Sequence, residues 1–559
     1  MSLQFTNLHG PTRREMMLGA AAVATANAGP LQAQRATANV ASGYVFEDVD
    51  GTGMRSSRSP GIGGVMVSNG RDVTLSARDG SWRLPVADGD CVFVIKPSHW
   101  TVAPGHGGSP RFFHLHQPEG SPASFSSRFA VVAATGPLPE HIDFGLRRQV
   151  EPSRFDVLLV ADTQPGNAGE LGFVRDSLLT RVPGAGAAFA IHHGDVMGDD
   201  LSLFDRYLEL VGATGLPWHH CPGNHDMNVD GGDPRHWFET WKRTFGPTHY
   251  AFQHAGATFI LLNNVAPTAA AGDGGAGRGY RGLVGPGQLA FVENVLRHVP
   301  REHLVVVSMH IPLVSFEDPH NPADTTADRQ RLLKLLAHRP HTVSFAGHSH
   351  TTEHHYLGPD DGFSRPERHH HHVLTAACGS WWSGPNDRYG VPYAESRDGS
   401  PRGFHILSVE GNRYKTTFVA TSERSPTQMR VMLDPPAQGR AVSFPGSNSI
   451  VARALIPSTR LLVNVFDGGP RTRVCLAFSH EPQARLELSH VDGCDPYVAE
   501  FFAANPETCK PWAGVSPSSH MWAAALPASL EPGVHQLEVR ARDEYGSENV
   551  EQALIEVTG

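Results

Sequence analysis

Five short clusters of Asp, Asn, Gln and His side chains occur in the middle of the chain. Each cluster follows an apolar run with the length of a buried strand. The clusters are Asp162-Thr163-Gln164, Gly194-Asp195 with Asp199, Gly223-Asn224-His225-Asp226, His310, and Gly347-His348-Ser349-His350. Because open α/β sheets build their sites just beyond the carboxyl ends of strands, we expect the clusters to meet at one sheet edge. One cluster alone could be a turn or a structural histidine, whereas five in one domain indicate a shared site.

The side chains of these clusters have the chemistry of a metal site. Carboxylate, amide and imidazole groups suit zinc, manganese or iron, and the absence of cysteine from the clusters argues against a structural zinc. A carboxylate can bridge two cations about 3.5 to 4 Å apart, and such a pair activates water and holds both oxygens of a phosphate displacement. We therefore predict two divalent ions, Mn, Fe or Zn, with Asp195 as the bridging ligand.

These motifs, taken in order along the chain, resemble those of the calcineurin-like metallophosphoesterases. The resemblance implies two sets of metal ligands that share one carboxylate: Asp162, Gln164, Asp195 and His350 for one ion, and Asp195, Asn224, His310 and His348 for the other. It also implies that His225 is the general acid, that Asp226 orients its imidazole, and that a metal-activated hydroxide attacks phosphorus. The fold that it implies is a four-layer αββα domain, in which two mixed sheets pack together and helices cover them.

Gln164 departs from the commoner pattern of the family, which has His at this position. An amide oxygen is neutral and a weaker ligand than imidazole, so the ion beside Asp162 and His350 is expected to bind less tightly. In a second interpretation, Gln164 only forms a hydrogen bond to a water on the metal.

The reaction that the resemblance implies is hydrolysis of a phosphate ester. The five motifs contain no Arg or Lys that would mark a dianionic monoester. We therefore favour a phosphodiester, with a phosphomonoester as the alternative for the same site. A non-catalytic envelope binding protein with a dead middle domain is disfavoured, because a decayed site should have lost an Asp or a His.

The elements that position these motifs divide the chain into three folded units. At 559 residues the chain is too long for one core, because domains cluster near about 100 to 200 residues. Apolar β runs alternating with helical patterns, such as those over residues 285–298 and 328–338, predict an α/β catalytic domain over residues 150–424. Short strands separated by turns predict small all-β sandwich domains over residues 40–148 and 428–559. These flanking units, with Gly379-Ser380-Trp381-Trp382 and His520-Met521-Trp522, resemble the exported bacterial branch of the family.

The first 36 residues have the pattern of a targeting segment. Arg13 and Arg14 precede a short Ala-rich apolar stretch, which predicts a twin-arginine export signal. This stretch is too short to span a bilayer, and no later stretch reaches the required length, so we predict no transmembrane segment. The mature protein is therefore expected in the periplasm or outside the cell.

The composition limits the classes of partner. With 46 Lys and Arg against 56 Asp and Glu, a formal charge of −10 and no basic run, the chain is not expected to bind nucleic acid. The expected substrate is a small or envelope-associated phosphate ester. Among the six cysteines, Cys494 and Cys509 are the one plausible disulfide pair, because both lie in a C-terminal loop region.

Other His and Trp residues near the motifs have more than one interpretation. The four histidines at 369–372 would alternate faces in a strand, so at most two could face a pocket, and a polar strand start is the favoured interpretation. Trp381 and Trp382 could line the cleft or fill the core. For the histidines that flank the motifs we favour packing or support of the ligands: His192, His193, His219 and His220.

Overall fold

The computed structural model describes residues 39–103, 110–268, 279–422, 428–434 and 450–559. The predicted export signal at residues 1–36, with Arg13 and Arg14, lies outside the described residues. Within the described ranges, no helix has the length and apolar character needed to cross a membrane.

In its described residues, the first unit has eight strands in two four-stranded sheets. The strands are β1 (Asn39–Glu47), β2 (Met66–Ser68), β3 (Val73–Leu75), β4 (Ser81–Val86), β5 (Asp90–Val94), β6 (Trp100–Val102), β7 (Phe113–His116) and β8 (Phe144–Arg148). One sheet has the order β4-β1-β8-β6 and the other β3-β2-β5-β7. In β4, Trp82, Leu84 and Val86 are buried and alternate with exposed residues, as expected for a strand with one face on a core. The predicted N-terminal sandwich is confirmed.

The described part of the middle unit contains two larger sheets, a hairpin and five α-helices. Its strands are β9 (Arg154–Val160), β10 (Phe189–His193), β11 (Trp218–Cys221), β12 (Tyr250–His254), β13 (Ala257–Leu261), β14 (Val265–Pro267), β15 (Tyr280–Gly282), β16 (Leu304–Ser308), β17 (Thr342–Ala346), β18 (Glu353–Leu357), β19 (His369–Val373), β20 (Gly403–Glu410) and β21 (Arg413–Ala420). Its helices are α1 (Ala168–Ser177), α2 (Phe204–Gly212), α3 (Glu239–Phe245), α4 (Gly285–Leu296) and α5 (Arg329–Leu336). The sheet orders are β11-β10-β9-β20-β21 and β12-β13-β16-β17-β19-β18, and β14 pairs with β15.

Strand β9 explains how four layers arise. Val157 and Leu159 belong to the apolar cluster shared with the six-stranded sheet, whereas Leu158 and Val160 pack with residues of α1 and α2. The strand is apolar on both faces because each face is covered, by a second sheet on one side and by helices on the other. Helices α4 and α5 cover the outer face of the six-stranded sheet. The predicted four-layer αββα fold is confirmed.

The two helices foreseen from the sequence form, but both are shorter than their patterns. The pattern over residues 285–298 ends as α4 at Leu296, and that over 328–338 corresponds to α5, Arg329–Leu336. Asp328 immediately precedes α5, and its carboxylate accepts the backbone N–H groups of Val284 and Gly285. This bond ties the beginnings of α4 and α5 together.

The last unit, over the residues that the structure describes, is a second two-sheet arrangement with one α-helix. It contains β22 (Met429–Asp434), β23 (Ile450–Ala452), β24 (Arg460–Val465), β25 (Arg473–Phe478), β26 (Leu486–Glu487), β27 (Ser489–Cys494), α6 (Pro496–Ala504), β28 (Pro517–Ala525), β29 (Gly533–Arg542) and β30 (Glu548–Thr558). The sheet orders are β22-β24-β28-β27 and β23-β30-β29-β25-β26, which confirms the C-terminal sandwich.

Helix α6 was not foreseen from the sequence. The Asp495 carboxylate accepts the N–H of Tyr497 and Pro496 occupies the first turn, both of which favour a helix start. Cys494 and Cys509 lie on either side of this helix and are both free thiols in the structure, so the disulfide considered from the sequence is not formed there.

Candidate metal centre

The five motifs meet at the carboxyl edges of the two central sheets. Strands β9, β10, β11, β16 and β17 end within a few residues of Asp162, Asp195, Asn224, His310 and His348, respectively. Most of the motif side chains line one cavity of about 480 Å³. The sequence-based prediction that the motifs converge is therefore matched by the arrangement of these strands.

The backbone at this edge is strained. Five of the seven predicted metal ligands have positive φ angles: Asp162 (50°), Gln164 (36°), Asp195 (52°), His348 (81°) and His350 (56°). Residues other than Gly adopt this conformation uncommonly, although Asp and His do so more often than most, and its cost is on the order of 1 to 3 kcal/mol for a residue such as Gln164. Such strain is concentrated at functional sites, where the surrounding structure holds side chains in directions that relaxed loops would not give them.

Two glycines in the motifs make room for the carboxylates. A Cβ atom at Gly347 would lie 2.4 Å from Oδ2 of Asp162, and one at Gly223 would lie 2.1 Å from Oδ1 of Asp195. Any larger residue at either position would collide with a predicted ligand. These glycines are therefore required by the close approach of one motif loop to the carboxylate of another.

Asp195, Asn224, His310 and His348 form the first half of the centre. Nε2 of His310 lies 3.3 Å from Oδ1 of Asp195, 2.9 Å from Oδ1 of Asn224 and 3.1 Å from Nδ1 of His348. Nδ1 of His310 lies 2.8 Å from the carbonyl oxygen of His193, which can only accept, so this nitrogen carries a proton. In the same way, the carboxylate of Asp324 accepts a hydrogen bond from Nε2 of His348 at 3.1 Å.

Because the outer ring nitrogens of His310 and His348 are bonded in this way, their inner nitrogens point toward the side-chain oxygens of Asp195 and Asn224. Four acceptor atoms therefore face one another. In the neutral rings, Nε2 of His310 and Nδ1 of His348 present lone pairs to the oxygens of Asp195 and Asn224. Burial lowers the pKa of His310, but the charge of Asp195 outweighs it and raises that pKa to about 9. Burial alone would raise the pKa of Asp195, whereas His310 and His225 hold it well below its usual value. Without a metal, a proton on His310 therefore balances the charge of Asp195; a divalent ion would take the place of that proton, and the oxygen and imidazole donors fit such an ion.

The other predicted ligands, Asp162, Gln164 and His350, lie beside this group. Nδ1 of His350 donates to the carbonyl oxygen of Gly379 at 2.5 Å, and Nε2 faces Oδ1 of Asp162 at 3.9 Å. Burial lowers the pKa of His350 to about 3, so the ring is neutral and can act as a ligand. Burial also raises the pKa of Asp162 to about 7, which a nearby cation would reverse.

Gln164 has a contact that was not expected. Its Nε2 donates to Oδ2 of Asp195 at 2.7 Å, so the amide group acts here as a donor to the predicted bridging carboxylate. Ligation through Oε1 requires rotation of the amide by a half-turn. The structure thus brings Gln164 to the centre with its nitrogen, not its oxygen, toward Asp195.

The predicted partner of His225 is wrong. Oδ1 of Asp199, not Asp226, lies 2.8 Å from Nδ1 of His225. The Asp226 carboxylate is fully buried and accepts the backbone N–H groups of Val196, Met197 and Gly223. Asp226 lies beside His225 in sequence, but its side chain points under the loop and fixes the backbone, because three N–H groups there need an acceptor.

Several supporting groups were missed because no motif marks them. Asp324, which orients His348, lies in a long connection between β16 and α5, and the backbone carbonyls of His193 and Gly379 carry no side-chain signal. Arg397 lines the cavity about fifty residues beyond the last motif. Only the tertiary fold brings these groups to the site.

Of the two tryptophans that could line the cleft or fill the core, Trp381 does the first and Trp382 the second. Trp381 lines the cavity and stacks on His350 with ring centroids 4.2 Å apart. Trp382 is buried and donates from Nε1 to the carbonyl oxygen of Thr163. The flanking histidines lie as the packing interpretation predicts: His192 contacts Thr163, and His219 stacks on Phe252.

The four histidines at 369–372 form β19 and are all buried. His369 and His371 face Ser344 on one side, whereas His370 and His372 face His354 on the other. None of the four belongs to the described lining of the cavity that holds the motifs.

Three family models match the chain. Residues 155–352 match the model described as calcineurin-like phosphoesterase, and this range contains every predicted site residue. Residues 49–131 match the N terminal of calcineurin-like phosphoesterase, and residues 371–548 match the C terminal of calcineurin-like phosphoesterase. No curated protein matches the chain.

Two solved structures are similar to parts of the chain at low identity. A purple acid phosphatase, PPD1, from yellow lupin (Lupinus luteus) seeds is 13% identical, with a TM-score of 0.35, over 69% of this chain and 67% of its own. The spore cortex lytic enzyme SleM of Clostridium perfringens is 10% identical, with a TM-score of 0.17, over 73% of this chain and 100% of its own. At these TM-scores, neither similarity carries an argument about the site.

Proposed function

Because the chain belongs to the calcineurin-like phosphoesterases, which are metal-dependent hydrolases of phosphoric esters, we propose that it is an exported phosphodiesterase that uses two divalent ions. The ions are Mn, Fe or Zn. The catalytic unit is assigned to residues 150–424, and the flanking sandwiches to residues 40–148 and 428–559.

Two groups of ligands that share Asp195 support two ions. One group is Asp162, Gln164, Asp195 and His350, and the other is Asp195, Asn224, His310 and His348. Two contacts of Asp195 support this sharing: Oδ1 lies 3.3 Å from Nε2 of His310, and Oδ2 accepts a hydrogen bond from Nε2 of Gln164 at 2.7 Å. When bound, such ions supply Lewis acidity and lower the pKa of a water molecule to near neutrality.

The protein's own groups orient the ligands and move the proton. The carbonyl of His193 and the carboxylate of Asp324 fix the rings of His310 and His348. His225 borders the cavity with a quarter of its side chain exposed, and we assign it the transfer of a proton to the leaving oxygen. Asp199 accepts the proton on Nδ1, and Nε2, which lies 3.9 Å from Oδ2 of Asp195, would carry the proton that is transferred.

The charges of the side chains that line the cavity support a preference for a phosphodiester. The lining includes the carboxylates of Glu317, Asp318 and Asp324 and one guanidinium, that of Arg397. Arg397 contacts Glu317 twice, Nη1 to Oε2 at 2.8 Å and Nη2 to Oε1 at 2.7 Å. Because Glu317 already matches this charge, the described lining offers no spare guanidinium or ammonium group for the second charge of a monoester. A diester has one negative charge and suits this lining better.

The test compares two aryl esters with the same leaving group. We expect kcat/KM for bis-p-nitrophenyl phosphate to exceed that for p-nitrophenyl phosphate by at least about tenfold, which corresponds to about 1.4 kcal/mol. The comparison is made with Mn²⁺ and repeated with Zn²⁺. A preference for the monoester in both metals would replace the proposal with a phosphomonoesterase.

Two variants separate the Arg397–Glu317 pair from the total charge of the cavity. Glu317→Gln frees the guanidinium, so hydrolysis of the monoester should rise relative to the diester. Asp318→Asn removes one carboxylate from the same lining but leaves the pair intact, and it should change the ratio less. Equal changes in the two variants would mean that total charge, not the pair, sets the preference.

A further inference from the structure

A second group of metal-binding side chains lies outside the catalytic cavity. His372 in β19, His405 in β20 and Asp467 in the turn after β24 come together where three sheets meet, and Nε2 of His354 in β18 lies 3.2 Å from the Asp467 carboxylate. His354 and His372 are direct partners in the antiparallel pairing of β18 and β19. The three histidines are buried, and the Asp467 side chain is 15% exposed. None of the four lines the cavity described above.

Three imidazole nitrogens converge on one carboxylate oxygen. Oδ1 of Asp467 lies 3.2 Å from Nε2 of His354, 3.1 Å from Nε2 of His372 and 3.6 Å from Nδ1 of His405. Two ligand atoms of a tetrahedral zinc ion with bonds of about 2.0 Å lie about 3.3 Å apart. The three distances from Oδ1 of Asp467 to the imidazole nitrogens therefore lie on either side of the ligand-to-ligand distance in a tetrahedral zinc site.

Hydrogen bonds among the protein groups do not satisfy this cluster. Within the described part of the chain, Nδ1 of His372 has no hydrogen-bond partner, and Nε2 of His372 and Nδ1 of His405 lie 3.1 and 3.6 Å from Oδ1 of Asp467 without the alignment of a hydrogen bond. Buried imidazole nitrogens without partners are costly, and an ion at this point would give lone pairs of both rings a partner.

Groups behind the cluster hold its rings in place. Nδ1 of His354 lies 2.9 Å from Nε2 of His370, whose Nδ1 lies 2.8 Å from the Tyr414 hydroxyl. This chain fixes the direction in which Nε2 of His354 points, as outer hydrogen bonds do for metal-bound histidines. Gly469 lets the turn with Asp467 approach, because a Cβ atom there would lie 2.7 Å from Cβ of His354.

His405 requires a particular proton position. Ligation through Nδ1 needs the proton on Nε2, where the Thr375 hydroxyl, 3.3 Å away, is its acceptor. The backbone N–H of Thr375 also points at Nε2 from 3.2 Å, and this contact suits the tautomer in which Nδ1–H donates to Asp467. A variant at His405 therefore distinguishes a fourth ligand from a ring that only orients Asp467.

We propose that His354, His372, His405 and Asp467 bind a divalent ion of the zinc type that fastens the C-terminal sandwich to the catalytic unit. Four protein ligands leave no open position, so the ion is structural and takes no part in hydrolysis. It joins β18 and β19 of the six-stranded sheet, β20 of the five-stranded sheet and the turn after β24. Removing it is expected to loosen this junction first.

The experiment counts metal in the whole protein purified with Zn²⁺. The wild type should hold about one equivalent more than Asp467→Asn and His372→Gln, each of which removes one ligand. His355→Gln is the matched control, since His355 is the neighbour of His354 and pairs with Glu353 instead. It should keep the full metal content. Mild chelation should lower the melting temperature of the wild type and of His355→Gln. Asp467→Asn should already have this lower melting temperature before the chelator is added.

Anomalous diffraction from wild-type crystals grown with Zn²⁺ does not depend on any variant folding. A peak between the four side chains is expected. Absence of that peak, or equal metal content in the wild type and a folded Asp467→Asn, would mean that the cluster is only an ion-pair network. Retention of the extra ion in His405→Gln with loss in His372→Gln would restrict the ligands to three and overturn the four-ligand site.

Discussion

Nδ1 of His225 lies 2.8 Å from Oδ1 of Asp199, and Asp199 is only four residues beyond Asp195 in the same loop. One loop thus supplies both the proposed bridging ligand and the partner of the proposed acid. Asp199 has a positive φ of 79°, so the loop is bent to bring its carboxylate to the ring. The positions of ligand and acid are therefore linked through a short, strained piece of backbone.

Replacing His225 by Ala should leave the metal content unchanged and lower turnover by about 10² to 10⁴, the usual contribution of a positioned acid. The loss should be larger for alkyl leaving groups than for nitrophenol, which leaves without protonation. Asp199→Asn keeps a hydrogen-bonding side chain and should cost less than the loss of the ring. Equal losses of rate for both leaving groups would argue against proton donation by His225.

Asp195→Asn should be the most damaging change at the centre, because it weakens the proposed bridge and with it both ions. Metal analysis should find more than one equivalent lost relative to the wild type, together with activity. Asp200→Asn is a suitable control, since Asp200 caps the next turn by accepting the N–H of Ser202. A variant at Asp195 that still holds all of its ions tightly would disprove the bridging role.

The sequence was sufficient for the layers of the fold and for the side chains at the strand ends. Strand-end clusters are visible because a continuous apolar run followed by Asp or His is a local pattern. The partner of His225 was not predictable in this way. Asp226 and Asp199 are both carboxylates near the ring in sequence, and the choice depends on which buried N–H groups need an acceptor.

The cluster of His354, His372, His405 and Asp467 illustrates a second limit of sequence reasoning. Alternation along β19 correctly implied that its histidines divide between two faces. The ligand partners of His372 come from β20 and from a turn almost a hundred residues further along the chain, at Asp467. Pairing across such distances depends on the tertiary arrangement of three sheets, for which one sequence contains no local signal.

Glu151 should make the protein sensitive to acid. Glu151 lies in the connection between β8 and β9. Its carboxylate accepts hydrogen bonds from Nζ of Lys96, at 2.8 Å, and from the backbone N–H groups of His99 and Ala255. Burial alone would raise the pKa of Glu151, but His254 and Lys96 outweigh it and lower the pKa from 4.5 to about 2. The stabilisation is therefore complete above about pH 4.5 and is lost as the pH falls toward 2.

Glu151→Gln should reduce the free energy of unfolding at neutral pH by on the order of 2 kcal/mol, because burial of Lys96 offsets part of the gain. The difference from the wild type should shrink between about pH 5 and pH 3 in denaturant titrations. Glu140→Gln is the control, since the Glu140 side chain is 92% exposed. A difference that stays constant over this pH range would contradict the assignment.

Arg13 and Arg14 should be required for export of the folded protein. Replacing both by Lys should leave full-length protein in the cytoplasm, because a twin-arginine signal depends on the arginine pair. Fractionation of cells that express the wild type and the double variant measures this directly. Normal export of the variant would mean that another pathway reads the N-terminus.

The last prediction concerns Gln164, whose amide nitrogen donates to Oδ2 of Asp195 at 2.7 Å. If the amide rotates and its oxygen ligates, the bond is weaker than one from imidazole, so the ion beside Asp162 and His350 should be lost first on mild chelation. Activity should then fall in two stages, and the weaker ion should return with added Mn²⁺ or Zn²⁺. Gln164→His should tighten that ion and merge the two stages. If Gln164 instead acts only through hydrogen bonds, titration of Mn²⁺ into metal-free wild type and Gln164→His should give the same affinity for the weaker ion.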